Sequence, residues 1–348
     1  MISEIGNFKF DSGNKTFIIA ELSANHGRKY ETAAASLQSI KETGADAVKL
    51  QTYTADTLTI DSDNEFFRIK QNTLWDGRTL YQLYREAYTP WEWQPKLKKI
   101  ADDLDLTLFS SPFDKTAVDF LEKMNVPAYK VASFEITDIQ LIEYIASKGK
   151  PVIISTGIAE LADIEEALAA CRRQGNDQIA LLKCTSAYPA PMEEVNLRTI
   201  PDMINRFGLP VGISDHTLGI SVPMAAVALG ARIIEKHFIL DRNLGGPDAA
   251  FSIEPEEFRT MVRAVRDVEA ALGKVSYELS DRVRKNRIFA RSLFIVADIQ
   301  QGEIFTEQNI RSIRPGYGLA PKHLPQIIGK RAVRDLKKGT PLDWDMID

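Results

Sequence analysis

Cysteine is nearly absent from this chain: Cys171 and Cys184 are the only two in 348 residues, too few for a disulfide framework or a thiolate metal site. Histidine is almost as scarce, with four residues in all. No run approaches the roughly 20 apolar residues of a membrane span. The opening MISEIGNFKF has neither the basic nor the apolar region of a signal peptide, so a cytoplasmic protein without a membrane partner is expected. Basic charge is not in surplus either. With 43 Lys and Arg against 48 Asp and Glu the net charge is −5, which argues against nucleic acid as a partner. What remains, 44% apolar and 26% charged residues, is the composition of an ordinary globular enzyme or binding protein.

From Phe17 to about residue 272, short apolar runs alternate with segments of helical periodicity. The strand candidates are 17–21, 47–51, 107–110, 128–131, 152–155, 179–183, 211–214 and 232–236. Helical spacing is read over 30–43, 91–104, 114–124, 139–147, 161–173, 197–207, 222–229 and 255–272. Eight such units predict a (β/α)8 TIM barrel. An open doubly wound sheet comes second, because no glycine-rich phosphate fingerprint follows the first strand. Residues 1–16 form an N-terminal extension, read as a strand pair or plug, and 273–291 a charged linker. Residues 292–348, with the turns QQGE and KKGT, read as a small, mostly β domain. The segment from Thr52 to Pro90 is far longer than a usual strand-to-helix loop, which marks it as a lid or specificity wall.

The residues that close the strands are polar. Glu21, Lys49 with Gln51, Ser110-Ser111, Lys130 with Ser133 and Glu135, Ser155-Thr156-Gly157, Lys183 with Ser186 and Tyr188, and Ser214-Asp215-His216 follow one another. Lysines in buried strands are costly unless an anion meets them. Lys49 and Lys130 beside serine hydroxyls therefore suit a phosphate or carboxylate, with structural ion pairs to Glu21 or Glu135 as the competing reading. His216 and His237 follow successive strands of one strand–helix–strand unit. Parallel pairing would bring both to the C-terminal end of the barrel, where active sites form; two unconnected surface histidines would fit the spacing too. Two histidines with oxygen ligands suit Mn²⁺ or Mg²⁺ better than a closed zinc site. Spacing alone does not choose among aldol, phosphate-release and isomerase chemistry.

The motifs FIIAELSANHG, GADAVKLQTYTADTLT, YKVASFE, STGIAE, KCTSAYPAP, GISDHT, GARIIEKHF and GGPDAAFS together resemble the sialic acid (nonulosonate) synthase family, and the segment around IRPGYGL resembles that family's antifreeze-like SAF domain. Within the family, ELSANH and LWDGRTLYQLYREAYTPWEW resemble the pseudaminate branch, which uses a 2,4-diacetamido-2,4,6-trideoxy-altrose. The resemblance implies condensation of phosphoenolpyruvate with an N-acylated amino sugar, aided by a divalent metal (Mn²⁺, Mg²⁺ or Co²⁺) on His216 and His237. It assigns catalytic roles to Glu21, Lys49 and Lys130. Lys49, Lys130, Ser133, Ser155, Ser186 and Ser214 would hold phosphoenolpyruvate, with Ser110 or Ser111 nearby, although Ser186 stands where neuraminate synthases carry Asn. Glu21, Gln51, Tyr188 and Asp248 would face the sugar. A homodimer with swapped C-terminal domains is implied, with Phe289 and Arg314 reaching the partner's sugar site. Beside Lys49, Glu21 is expected to stay ionised; His26 is expected to serve in hydrogen bonding and His323 to lie on the surface. A shikimate- or octulosonate-type synthase would lack the C-terminal domain, and a non-enzymatic carbohydrate- or ice-binding protein would not need buried lysines.

Overall fold

The computed structural model describes residues 2–10, 15–70 and 75–348; residue 1 and residues 11–14 of the N-terminal extension, and residues 71–74 of the long segment, lie outside the described residues. The chain divides into two compact units, Met1–Gly273 and Lys274–Asp348.

The first unit opens with a hairpin, β1 (Glu4–Ile5) and β2 (Phe8–Lys9). It closes the N-terminal end of a barrel: Ile2, Ile5 and Phe8 are buried, and the Phe8 ring lies 4.8 Å from that of Phe17, the first residue of the first barrel strand. Eight parallel strands then close on themselves: β3 (Phe17–Glu21), β4 (Ala47–Thr52), β5 (Thr107–Pro112), β6 (Tyr129–Val131), β7 (Val152–Ser155), β8 (Ile179–Cys184), β9 (Val211–Asp215) and β10 (Ile233–His237), with β10 pairing β3. The expected (β/α)8 barrel is the observed one. Inward side chains fill the barrel and outward ones meet the surrounding helices, so these strands read as continuous apolar runs rather than alternating ones.

Several helices of the first unit start at a capping residue. The helices of this unit are α1 (Tyr30–Thr43), α2 (Ala55–Leu58), α3 (Leu80–Ala87), α4 (Gln94–Asp103), α5 (Lys115–Lys123), α6 (Ile139–Ala146), α7 (Leu161–Arg173), α8 (Thr199–Phe207), α9 (Ser221–Ala228) and α10 (Pro255–Leu272). Asp114 caps α5 through the amides of Thr116 and Ala117, and Thr79 and Gln82 form a reciprocal capping box at α3. Gly44, at φ 85°, ends α1 in the left-handed region open to glycine. The segment read as one helix from Trp91 begins as a 3-10 turn, Trp91–Trp93, and turns α-helical only at Gln94, where Pro95 occupies the first turn without needing an amide partner. The long segment after β4 is not bare loop: it holds α2, a 3-10 turn at Glu65–Phe67, and α3.

The second unit begins with a short helix, α11 (Asp281–Lys285), inside the stretch read as linker. Its sheet is two-stranded, β11 (Ser292–Ile295) against β12 (Ile310–Ile313), extended by single bridges such as Ile299 to Leu336 and Phe294 to Pro341. Leu293, Ile295, Ile299, Phe305, Ile310 and Leu342 make its core. Among the described residues, no helix is long and apolar enough to cross a membrane.

Candidate active site

Strand parity decides which polar residues meet. In the parallel ladder, His237 pairs with Glu21 and Glu21 with Lys49, so these three point into the barrel together; two residues before His237, Glu235 faces inward as well. The Lys49 ammonium touches a carboxylate oxygen of Glu21 and lies 3.7 Å from Glu235 Oε1. Lys130 Nζ is 4.0 Å from the same Glu235 oxygen. All four side chains are buried. Two cations and two carboxylates thus balance inside the barrel, and Ser214 Oγ donates to Glu235 Oε1 at 3.0 Å.

The charges are uneven. Burial pushes Glu21 up to about 7 although Lys49 opposes it, and nearby Glu235 pushes in the same direction; the Lys49 partner expected beside it is present. The contact with Lys49 is an ion pair without hydrogen-bond alignment: among the described residues neither Glu21 oxygen has a hydrogen-bond partner. Burial is the largest influence on Glu235 as well, but Lys130 and Lys49 overcome it and hold this carboxyl below the usual range. At Lys49 the two carboxylates outweigh burial and keep the ammonium charged, whereas burial prevails at Lys130 and lowers it.

Around the lysines is a ring of hydroxyls. Lys130 Nζ donates to Ser155 Oγ at 2.6 Å and Lys49 Nζ to Ser111 Oγ at 3.3 Å. Ser133 Oγ accepts from Ser186 Oγ at 2.9 Å and from the Ile158 amide at 3.1 Å. Gly157 makes this convergence possible: a Cβ there would lie 2.1 Å from Ser186 Oγ and 2.5 Å from Ser133 Oγ. The loops after β6, β7 and β8 therefore meet at a point that only glycine admits.

Ser110 is not part of this ring. It pairs with Leu50, while Ser111 pairs with Gln51, so Ser110 faces outward and shares a 2.7 Å hydrogen bond with Thr52 Oγ1, which donates to Gln94 Oε1 of α4 at 2.8 Å. Of the two serines that the resemblance offers, Ser110 and Ser111, the two-residue period of the strand turns Ser110 away from the lysines and Ser111 toward them. The same period turns Lys183 out, where Nζ donates to Thr185 Oγ1 at 2.8 Å. Lys236 also points outward; its buried Nζ donates to Asp215 Oδ2 and to Thr217 O, both at 2.6 Å. Asp215 Oδ1 in turn accepts from the Thr217 amide and hydroxyl at 2.9 and 2.7 Å.

His216 and His237 meet at the C-terminal end of the barrel with ring centroids 5.4 Å apart. His216 Nδ1 donates to Thr185 O at 3.0 Å, leaving Nε2 as the acceptor nitrogen. Among the described residues His237 Nδ1 has no hydrogen-bond partner, and Asp248 Oδ2 lies 3.9 Å from it. Burial, with His216 adding to it, holds His237 well below its ordinary range, so the imidazole is neutral. Burial also pulls His216 down, but Cys184 and the bond to Thr185 O outweigh it and raise this imidazole; with both rings in the neutral form, two ring nitrogens at a barrel mouth fit a divalent metal completed by substrate and water oxygens. No group of three protein ligands is found among the described residues.

Gln51 Nε2 donates to Ser23 Oγ at 3.0 Å, and Ser23 Oγ to Asp248 Oδ2 at 2.5 Å. With Tyr188, whose ring lies 4.4 Å from that of His216, these residues line a cavity of about 400 Å³ that His237, Ser133 and Glu135 also reach. Ser23, Glu135 and Glu235 are the functional candidates that the sequence reading left unassigned. Burial pushes Glu135 up to about 7 against the pull of Lys130, and its Oε2 has no hydrogen-bond partner among the described residues. Elsewhere, His26 is hydrogen-bonded as expected, to Thr89 Oγ1 at 3.1 Å and from the Arg28 amide at 3.0 Å, whereas His323 is half-buried against Trp344 at 5.1 Å. Phe289 and Arg314 are exposed in the second unit, where the Gly316 amide donates to Ile288 O at 2.8 Å and ties the segments that carry them.

Residues 36–277 match the NeuB family model and residues 290–348 the SAF domain model. Pseudaminic acid synthase of Campylobacter jejuni is 47% identical over 339 residues, 97% of this chain and 98% of that one. Pseudaminic acid synthase of Helicobacter pylori is 48% identical over 332 residues, 95% and 97% of the two chains. Among solved structures, the N-acetylneuraminic acid synthetase of Leptospira borgpetersenii, in complex with citrate, superposes with a TM-score of 0.73 at 30% identity, covering 81% of this chain and 94% of that one.

Proposed function

The chain belongs to the NeuB family, an enzyme of the sialic-acid-synthase type, and on that premise we propose that it condenses phosphoenolpyruvate with 2,4-diacetamido-2,4,6-trideoxy-altrose to give pseudaminate and phosphate. The observation that carries the reading is the buried pair Lys49 and Lys130, ringed by Ser111, Ser155, Ser133 and Ser186, directly inside a mouth that holds two histidines. The choice of sugar rests on relatives named pseudaminic acid synthase that match over nearly their whole length.

Phosphoenolpyruvate would place its carboxylate and phosphate against Lys49, Lys130 and the serine ring, so that its negative charge replaces the internal balance with Glu21 and Glu235. Gln51, Tyr188 and Asp248 hold the sugar with its aldehyde toward the histidines. A divalent metal on His216 and His237 would supply Lewis acidity to the aldehyde oxygen. The enol carbon C3 attacks the aldehyde carbon, the carbonyl π pair moves to oxygen, and positive charge develops at C2. Water adds at C2 and loses one proton; as the C2–O bond to phosphate breaks, the remaining hydroxyl proton passes to the departing phosphate, leaving the 2-keto acid. Glu21 and Glu135, both raised to about 7, are suited to give a proton to the new alkoxide and to take one from the water. Phe289 and Arg314 would reach the sugar of a second copy in a homodimer with exchanged C-terminal units.

Phosphate release from phosphoenolpyruvate with Mn²⁺ tests the reading when run in parallel with the altrose-configured diacetamido sugar, its legionaminate-type counterpart and N-acetylmannosamine. Release with the altrose sugar alone is expected. Preference for N-acetylmannosamine would leave the barrel chemistry standing and overturn the branch.

A further inference from the structure

The cavity above the histidines has two unlike sides. Its polar side is built from barrel-strand ends and the loops that leave them: Gln51, Ser133, Glu135, His237 and Asp248. Its other side comes largely from the segment between β4 and α4, which contributes Leu58, Phe66, Ile69, Leu83 and Tyr84, with Phe113 beside them. Ile69 and Leu83 are buried by their own packing, so this wall exists before any ligand arrives. Tyr53, at the root of the segment, fixes it in place: its ring lies 5.8 Å from Tyr84 and 5.0 Å from Phe113. Trp75 closes one edge by donating its indole N–H to Pro247 O at 3.1 Å and packing 5.7 Å from the Tyr188 ring. Arg68 also borders the cavity, but its guanidinium serves Asp63, with Nε donating to Asp63 O at 2.8 Å.

The side chains of Leu58, Phe66, Ile69 and Leu83 offer no partner to a hydroxyl. A sugar bound with its aldehyde at the histidines must send the far end of its carbon chain away from them, along the cavity. We propose that the wall made by Leu58, Phe66, Ile69 and Leu83 receives that far end and selects substrates whose terminal carbon is a methyl group instead of a hydroxymethyl. The inference rests on the synthase reading above and adds to it the part of the protein that discriminates. A wall that merely fails to solvate a hydroxyl discriminates modestly, by about ten- to a hundredfold in kcat/KM, far less than a site built to hydrogen-bond that hydroxyl would.

The test is a matched pair of aldoses, 2,4-diacetamido-2,4,6-trideoxy-altrose and the same sugar with oxygen retained at C6, assayed by phosphate release at saturating phosphoenolpyruvate. The native enzyme is expected to favour the methyl sugar by ten- to a hundredfold in kcat/KM. Leu58→Gln, on a half-buried residue of the short helix α2, should shrink that ratio to within a fewfold while leaving the KM for phosphoenolpyruvate unchanged. Phe66→Ala, at a largely exposed position, should shrink it less and provides a second variant with little risk to folding. Equal use of the two sugars by the native enzyme overturns the wall as selector while the synthase reading stands, because phosphate is still released. A ratio that stays constant in Leu58→Gln also overturns it. Failure of both sugars overturns the synthase reading, and the wall assignment falls with it.

Discussion

Ser110 and Ser111 are adjacent, chemically identical and equally buried, yet the ladder sends them to opposite sides of β5. Ser111 Oγ accepts from Lys49 at 3.3 Å. A hydrogen bond to a charged group contributes roughly 1.5–3 kcal/mol, and the long distance argues for the lower end, about 1.5 kcal/mol or tenfold. Ser111→Ala should therefore raise the KM for phosphoenolpyruvate about tenfold. Because that bond is present before substrate arrives, the variant should also lose up to about 1.5 kcal/mol of stability, although Lys49 keeps Glu21 and Glu235. Ser110→Ala removes the hydrogen bond to Thr52, and Thr52 retains Gln94. That variant should lose about 1 kcal/mol of stability and keep its KM. Phosphate-release kinetics at saturating sugar, with urea denaturation of both variants, separate the effects. A tenfold KM increase in Ser110→Ala with none in Ser111→Ala would refute the inward and outward assignment on which the whole site is built.

Three further outcomes are expected. His237→Ala should abolish turnover with an unchanged circular dichroism spectrum, and chelation of the native enzyme should do the same until Mn²⁺ is restored; near-normal turnover of the variant would remove the metal from His216 and His237. Glu135, with a carboxyl raised from 4.5 to about 7 by burial, binds its proton more tightly when folded. Its contribution is full below about 4.5 and is lost as pH rises through 7, amounting to at most about 3 kcal/mol. Glu135→Gln should accordingly flatten the decline in denaturation midpoint between pH 5 and 8, and an unaltered slope would mean that another group sets it. Arg314→Ala should raise the KM of the sugar far more than that of phosphoenolpyruvate, and equal changes in both would speak against a role over the partner's sugar site.

Much of the barrel could be read from the chain because buried parallel strands are short continuous apolar runs, and eight of them separated by helical periods have few other ways to close. The mouth was legible to the extent that strand ends are polar: Lys49, Lys130, Ser133, Ser155, Ser186, Ser214, His216 and His237 all come together. Parity adds two things to that reading. Counting back two residues from His237 puts Glu235 inside the barrel, although it hides in the run IIEKH, and counting from Gln51 through the β4–β5 register separates Ser111 from Ser110. Other features depend on packing that no local pattern encodes. Asp248 reaches Ser23 across 225 positions of chain, and the apolar wall is assembled from several short pieces of the long segment, whose own sequence is mixed in polarity. The upward push on Glu21 is illegible for a related reason: a neighbouring lysine is visible in the motif, but full burial and a second carboxylate are not.

The outward ion pair of Lys236 with Asp215 and Thr217 is immediately adjacent in sequence to both histidines, one on each side of the β9–β10 boundary. It braces the two histidine-bearing strand ends from behind, on the outer side of the barrel. The apolar wall has other foundations, in Tyr53 and in the link from Trp75 to Pro247. The two parts of the mouth meet at the ring of Tyr188, which packs on both Trp75 and His216. A substitution in the long segment that shifts Trp75 is therefore transmitted to His216 through that ring.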